Sequence, residues 1–272
     1  MAGGVTEPAP LAAADMLARV RERHPLVHHI TNVVTVNDVA NVTLAVGASP
    51  VMAHAAEEVE EMVAAAGALV LNIGTLTAQV VEVMLLAGRR ANAAGVPVVL
   101  DPVGAGATAF RTAQSRRLLD AVRVACVRGN AGEVAALAGR PGGVRGVDAA
   151  GRVDALDDLA RALARATGAV VAATGRVDLL TDGRRTVRIE NGHALLAQIT
   201  GSGCMATAVV GAFCAVEPDT LNAAAAGLTC FEVAAERAAE ASPGPGTFRV
   251  RLLDALAALD GAAVTRAARI RA

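Results

Sequence analysis

Short, branched, apolar runs alternate with longer amphipathic ones along most of this 272-residue chain, and that alternation restricts the fold more than any other feature. Residues 26–30, 49–52, 68–73, 96–100, 124–127 and 169–174 have the length and composition of strands. Residues 36–46, 56–65, 78–94, 108–121, 130–138 and 154–166 between them have the pattern of helices. Parallel strands need crossover helices, so the order predicts an α/β fold: a mostly parallel central sheet with helices on both faces. Residues 177–181 and 186–189, joined through Asp182-Gly183, predict an antiparallel hairpin at one edge. From Cys204 onward the chain reads as nearly all helical, with segments 221–240 and 248–266 after an apolar run at 205–216. Pro and Gly are dense at 140–148, where the greatest flexibility is expected, and residues 1–10 are expected to be disordered. No linker or repeat divides the chain, so residues 1–272 are read as one domain.

Ligands of open parallel sheets bind beyond the carboxyl ends of the strands. The polar residues of this chain gather there: Thr31-Asn32, Met52-Ala53-His54, Asn72, Gly74-Thr75, Asp101-Pro102-Val103-Gly104, Arg128-Gly129-Asn130 and Thr174-Gly175. Gly201-Ser202-Gly203-Cys204 then feeds directly into the apolar run at 205–216. Small residues at a helix start let several backbone N–H groups converge on one anion at the positive end of the helix dipole. Arg128-Gly129-Asn130-Ala131-Gly132-Glu133 adds a cation, an amide and a carboxylate, the groups that phosphoryl transfer uses. Phosphate is therefore the expected ligand.

All 25 basic residues are arginine, and mechanisms built on a lysine amine, such as the P-loop or a pyridoxal Schiff base, are excluded. A net charge of −1 with 1% aromatic residues offers neither the charge nor the stacking rings of a nucleic-acid binder. No run approaches the roughly 18 apolar residues of a membrane span, and the N-terminus lacks signal-peptide character, so a cytoplasmic protein is expected. Gly104-Ala105-Gly106-Ala107-Thr108-Ala109 matches a dinucleotide fingerprint, but Asp101-Pro102 stands between it and the strand and it lies at the fourth strand rather than the first, which argues against that use. His28 and His29 are adjacent on a strand, point to opposite faces and are read as structural. Cys204 at a helix N-terminus is a candidate reactive thiol, with His193 the only local histidine that could serve it as a base.

His28-His29-Ile30-Thr31-Asn32-Val33-Val34 with Asn37, Ser49-Pro50-Val51-Met52, Leu71-Asn72-Ile73-Gly74-Thr75, Leu100-Asp101-Pro102-Val103-Gly104-Ala105, Arg128-Gly129-Asn130-Ala131-Gly132-Glu133 and Gly201-Ser202-Gly203-Cys204 together resemble the hydroxyethylthiazole kinases. These belong to the ribokinase-like superfamily, and the closing cysteine sets them apart from relatives with aspartate there. The resemblance implies a ribokinase-like three-layer sandwich and ATP-dependent phosphorylation of the primary alcohol of 4-methyl-5-(2-hydroxyethyl)thiazole, a salvage step of thiamine biosynthesis. It further implies that Met52 and Gly201 bind the thiazole alcohol, that Asn32 and Val34 line its pocket, and that Arg128 and Thr174 bind ATP, with Asn130 beside them. A homotrimer with active sites between subunits is also implied. Ser202 stands where threonine is common in the family, and it keeps the hydroxyl.

On this reading Gly201, Ser202, Gly203 and Cys204 form the catalytic turn, with backbone N–H groups that hold the transferred phosphoryl oxygens. Asp101 and Glu133 are the expected Mg²⁺ ligands, direct or through water, because magnesium commonly uses one or two carboxylates. Glu133 also lies in a first helical turn, where capping is the competing explanation; the metal role is favoured here. Another ribokinase-like kinase or an ADP-dependent hydrate dehydratase would share the phosphate machinery, and Cys204 with the 31–52 segment speaks against both. A non-catalytic binding protein would be expected to have lost Asp101, Glu133 or the glycine turn, and all three are present.

Overall fold

A computed structural model describes residues 10–139 and 149–271. The chain runs α1 (Pro10–Arg23), β1 (Leu26–Ile30), α2 (Val36–Val46), β2 (Ser49–Val51), α3 (Val59–Ala65), β3 (Ala68–Asn72), α4 (Ala78–Ala94), β4 (Val98–Asp101), α5 (Ala109–Ala121), β5 (Cys126–Asn130) and α6 (Ala131–Leu137). It continues α7 (Ala149–Thr167), β6 (Val170–Thr174), β7 (Asp178–Thr181), β8 (Thr186–Ile189), a 3₁₀ turn (Ala194–Gln198), α8 (Ser202–Cys214), α9 (Thr220–Glu240), α10 (Pro245–Ala257), α11 (Gly261–Ala267) and β9 (Ile270–Arg271). The strands form one sheet in the order β2-β1-β3-β4-β5-β6-β7-β8-β9. Pairing is parallel from β2 to β6 and antiparallel beyond.

Side-chain alternation assigns the two faces. Val27, Val70, Val99, Cys126 and Ala172 share one cluster with residues of α1, α2, α8, α9 and α10. Their neighbours Ile30, Leu71, Leu100, Val127 and Ala173 share the other with residues of α3, α4, α6 and α7. Strands buried on both faces read as continuous apolar runs, as β3 (ALVLN) does. Helix starts follow capping chemistry: Thr77, Thr108, Asn130, Asp219 and Asp260 each accept a backbone N–H of the first turn.

Four departures from the sequence reading have local causes. The segment 248–266 is two helices, because Asp260 starts a new one by accepting the Ala263 N–H at 2.7 Å. Two residues at the C-terminal end return to pair with β8, a non-local contact that no local pattern announces. Helix α1 and the 3₁₀ turn were not expected as elements. Strand β4 begins at Val98 rather than 96, since Pro97 has no N–H for a ladder, and it runs through Asp101. The segment expected to be most flexible, 140–148, lies outside the described residues, as do residues 1–9 of the expected disordered start.

Phe213 of α8 is completely buried, and α9 approaches it closely at Gly227, where a Cβ would lie 3.4 Å from the ring. Phe213→Ala should lower the unfolding free energy by about 3–5 kcal/mol, read by chemical denaturation. A loss under about 1 kcal/mol would mean that this layer repacks freely.

Candidate active site

The parity of the strands aims the polar residues. Asn72, Asp101, Arg128 and Thr174 each stand two positions after a core residue that faces α8, namely Val70, Val99, Cys126 and Ala172. All four therefore project from the carboxyl ends of adjacent strands toward the same helix. Strand order reverses between β1 and β3, since the chain leaves β1 for β2 on one side and continues with β3 on the other. That switch point is where open α/β sheets form their crevice, and Asn32 follows β1 there.

Asp101 is the hub. Its carboxylate is almost fully buried, and Oδ2 accepts from Asn72 Nδ2 at 2.8 Å and from Thr207 Oγ1 at 2.9 Å. Oδ1 is buried without a partner. Burial raises its pKa to about 6; Arg128 opposes the rise and Glu133 adds to it. Asn72 Oδ1 in turn accepts from Asn32 Nδ2 (2.9 Å) and from the Gly74 N–H (2.9 Å). The Asn32 side-chain Oδ1 accepts the Val34 and Thr35 N–H groups, which folds the loop after β1 back on itself. Both amide nitrogens also face the Cys204 sulfur, Asn72 at 3.2 Å and Asn32 at 3.4 Å.

Cys204 is half-buried, and burial together with Asp101 pushes its thiol above the usual range, outweighing hydrogen bonds from Thr35, Asn72 and Asn32. A helix N-terminus alone would lower a thiol pKa; desolvation and the neighbouring carboxylate prevail here. His193, the only histidine near it in sequence, instead accepts the Leu195 N–H and lies beside Phe248.

Arg128 stands on the other side of the glycine turn. Its Nη2 donates to Thr174 Oγ1, and the guanidinium lies so close over Gly203 that a Cβ there would be 2.5 Å from Nη1. Gly201 has φ of +85° and would clash with Thr35 if it carried a side chain, so both glycines are set by geometry. Helix α8 starts at Ser202 with no side-chain cap, and its first N–H groups remain available to an anion beside a guanidinium. A cavity of about 530 Å³ opens here, lined by Arg128, Thr174, Ser202, Gly203, Leu196 and Phe231 among others. Asp178 and Glu232 also line it, both buried with raised pKa values, from burial above all.

Glu133 has a structural task. Its Oε2 accepts the Asn130 N–H and its Oε1 the Gly104 N–H, both at 2.8 Å, while Asn130 Oδ1 accepts the Glu133 N–H. This is a full capping box on α6, and it joins the loop after β4 to the end of β5. Each carboxylate oxygen keeps a further lone pair. Among the described residues no three His, Cys, Asp or Glu side chains are grouped as a metal cage. Asn130 thus serves here as cap. Val34 is 64% exposed in the single chain, and Met52 is half-buried directly after β2.

Two functional positions escaped the sequence reading. Thr207 lies one turn into α8, inside an apolar run, and its hydroxyl reaches both Asp101 and the Gly203 carbonyl. Arg111 donates to the carbonyls of Ile73, Gly74 and Val103, which binds the loops after β3 and β4 together. The only signal for Thr207 is a hydroxyl one turn after Gly203.

The hydroxyethylthiazole kinase family model matches residues 17–261. A hydroxyethylthiazole kinase of Chloroflexus aggregans is 56% identical over 259 residues, which cover 94% of this chain and 92% of that one. The solved structure of a hydroxyethylthiazole kinase protein from Pyrococcus horikoshii superposes with a TM-score of 0.89 at 46% identity, covering 95% and 98% of the two chains. A ribokinase-like superfamily protein of Enterococcus faecalis shares the fold alone, with a TM-score of 0.62 at 10% identity over 94% of this chain and 98% of its own. No described helix is long and apolar enough to cross a membrane. With its ribokinase-like sheet, its uncapped α8 and its Asn72–Asp101 hub, the chain belongs to the hydroxyethylthiazole kinase family.

Proposed function

We propose that this protein transfers the γ-phosphoryl group of ATP to the hydroxyl of 4-methyl-5-(2-hydroxyethyl)thiazole, as a salvage step toward thiamine. The observation that carries the reading is the position of Gly203 between two half-sites. Arg128 lies over its α-carbon, and its carbonyl accepts from Thr207, which also bonds Asp101. On one side Arg128 and Thr174 hold the ATP phosphates, and the cavity beside them has room for the nucleoside. On the other, Cys204, Asn32, Met52, Val34 and Gly201 receive the alcohol. The N–H groups of Ser202, Gly203 and Cys204 face the phosphoryl oxygens, where one such donor is worth about 3 kcal/mol of transition-state stabilisation.

Mg²⁺ fits the donor set. Asp101 presents a buried carboxylate oxygen with no partner, the hard oxygen ligand that magnesium takes, and Glu133 can act through water. The ion would neutralise phosphate charge, which in a lysine-free site otherwise falls to Arg128 and the α8 dipole. The protein's own residues orient the reactants. Asn32 and Asn72 fix the Cys204 sulfur, which takes the alcohol proton as the oxygen bonds phosphorus.

Val33 and Val34, in the loop after β1 that carries Asn32, are 77% and 64% exposed, an apolar pair beside the proposed acceptor pocket. A homotrimer with sites between subunits would cover it, and all four cysteines are free, as suits the cytoplasm.

An ATPase-coupled assay with the thiazole alcohol, with and without magnesium, tests the assignment. Turnover should depend on the alcohol and almost wholly on divalent metal; faster turnover of hydroxymethylpyrimidine would reassign the acceptor. Asp101→Asn and Glu133→Gln should each lower kcat at least about tenfold, roughly 1.4 kcal/mol. Gln keeps only one of the two acceptor oxygens that hold the Asn130 and Gly104 N–H groups, so a loss at position 133 is assigned to the charge only where the unfolding midpoint of the variant is unchanged. Undiminished turnover in both would remove them from the metal site.

Met52→Ala should raise KM for the alcohol and leave KM for ATP nearly unchanged. Weakened ATP binding instead would reverse the two half-sites.

Cys204→Asp should keep substantial activity, and Cys204→Ala should be impaired yet measurable, because proton removal contributes less than positioning in a loose transition state. With the thiol raised, the thiolate fraction is small at neutral pH and grows as pH rises. Wild-type kcat should therefore climb on the alkaline side, while Cys204→Asp, whose carboxyl is ionised across that alkaline range, stays flat there. A dead but folded Cys204→Asp enzyme would contradict this role.

A further inference from the structure

Met52 lies outside every regular element: β2 stops at Val51 and α3 begins at Val59. Strand β2 is also the edge of the sheet, three residues long and bonded only to β1. The ladder therefore leaves the stretch from Met52 to His54 unfixed, and two imidazoles take over.

His28, on β1, is completely buried, and its Nε2 lies 2.8 Å from the Ala53 carbonyl oxygen. A carbonyl can only accept, so Nε2 carries the proton. Burial lowers the pKa of this ring, which keeps it neutral and leaves Nδ1 bare; that atom is buried without a partner. His54 has the opposite tautomer. Its Nδ1 lies 2.7 Å from the Met52 carbonyl oxygen and must donate, so Nε2 is left to accept the Thr31 N–H at 3.4 Å. Thr31 adjoins Asn32, whose amide faces Cys204. Two consecutive carbonyls, Met52 and Ala53, are thus pinned by two rings to β1 and to the loop that carries the acceptor side of the site.

We propose that His28 and His54 are positioning residues for the acceptor pocket, holding Met52 at a fixed distance from Asn32 and Cys204 and so setting the fit of a small apolar heterocyclic alcohol. Neither ring need touch the substrate. The inference rests on the reading that Met52 faces the acceptor. It assigns a task to His28 that the neighbouring His29, bonded to Thr43 of α2 on the opposite face, does not share.

The test is a set of KM values for the thiazole alcohol and for ATP in Met52→Ala, His28→Leu, His28→Gln, His54→Ala and His54→Asn. Loss of one such hydrogen bond should raise the alcohol KM about fivefold in His28→Leu and in His54→Ala, with the ATP KM within about twofold. The amide variants His28→Gln and His54→Asn can still donate to a carbonyl and should recover most of the loss. Exposed His54 provides the answer if buried His28→Leu does not fold. Met52→Ala separates the two readings. If it raises the alcohol KM while the histidine variants leave it unchanged, the positioning role is overturned and the pocket assignment stands. If Met52→Ala leaves the alcohol KM unchanged, the pocket assignment fails and the inference with it. Equal rises in both KM values, or a fall in kcat alone, would mark a merely structural role and overturn the inference too.

Discussion

The site depends on one buried carboxylate. Asp101 closes β4, and its Oδ2 takes hydrogen bonds from Asn72 at the end of β3 and from Thr207 of α8. Burying an ionisable group without partners is costly, so these two donors are held in place by the charge they serve. Asn72 passes the constraint on: with its N–H₂ committed to Asp101, its carbonyl must accept, and Asn32 and Gly74 donate to it. Three loops and a helix start are thereby fixed relative to one another by polar groups with little freedom to rearrange.

The same geometry separates two helix N-termini by use. Asn130 and Glu133 complete a capping box on α6, in which the Asn130 and Glu133 N–H groups are satisfied internally. Helix α8 begins on Gly201 without a side-chain cap, beside the Arg128 guanidinium. A preorganised set of donors costs no reorganisation when charge shifts during reaction, and the second terminus, with no side-chain cap, offers such a set. Arg111 adds rigidity from outside, through three loop carbonyls that an isolated loop would leave to water.

Much of this was legible in the sequence, because periodicity encodes burial. The strands from β1 to β6 and the helices between them follow local patterns, and the polar residues after each strand fall where a parallel sheet opens. Parity also places Asn72, Asp101, Arg128 and Thr174 on one face once the core residues two positions earlier are assigned. What escaped depends on contacts distant in sequence. Thr207 sits in an apolar run and acquires its role only because β4 ends beneath it. The Ile270–Arg271 strand exists only by pairing with β8. Along the chain Glu133 reads as a metal ligand ahead of a cap, and the two backbone N–H groups that occupy its oxygens become visible only in three dimensions. The upward shift of the Cys204 thiol is hidden for the same reason, since a helix start is local whereas desolvation and Asp101 are not.

The account's central claim is that the donor and acceptor half-sites meet at the α8 turn. A crystal structure with a non-hydrolysable ATP analogue, magnesium and the thiazole alcohol tests it most directly. The account predicts the γ-phosphate against the N–H groups of Ser202, Gly203 and Cys204, with the alcohol oxygen between the phosphorus and the Cys204 sulfur. A γ-phosphate bound away from that turn, or an alcohol on the Thr174 side of Arg128, would contradict it.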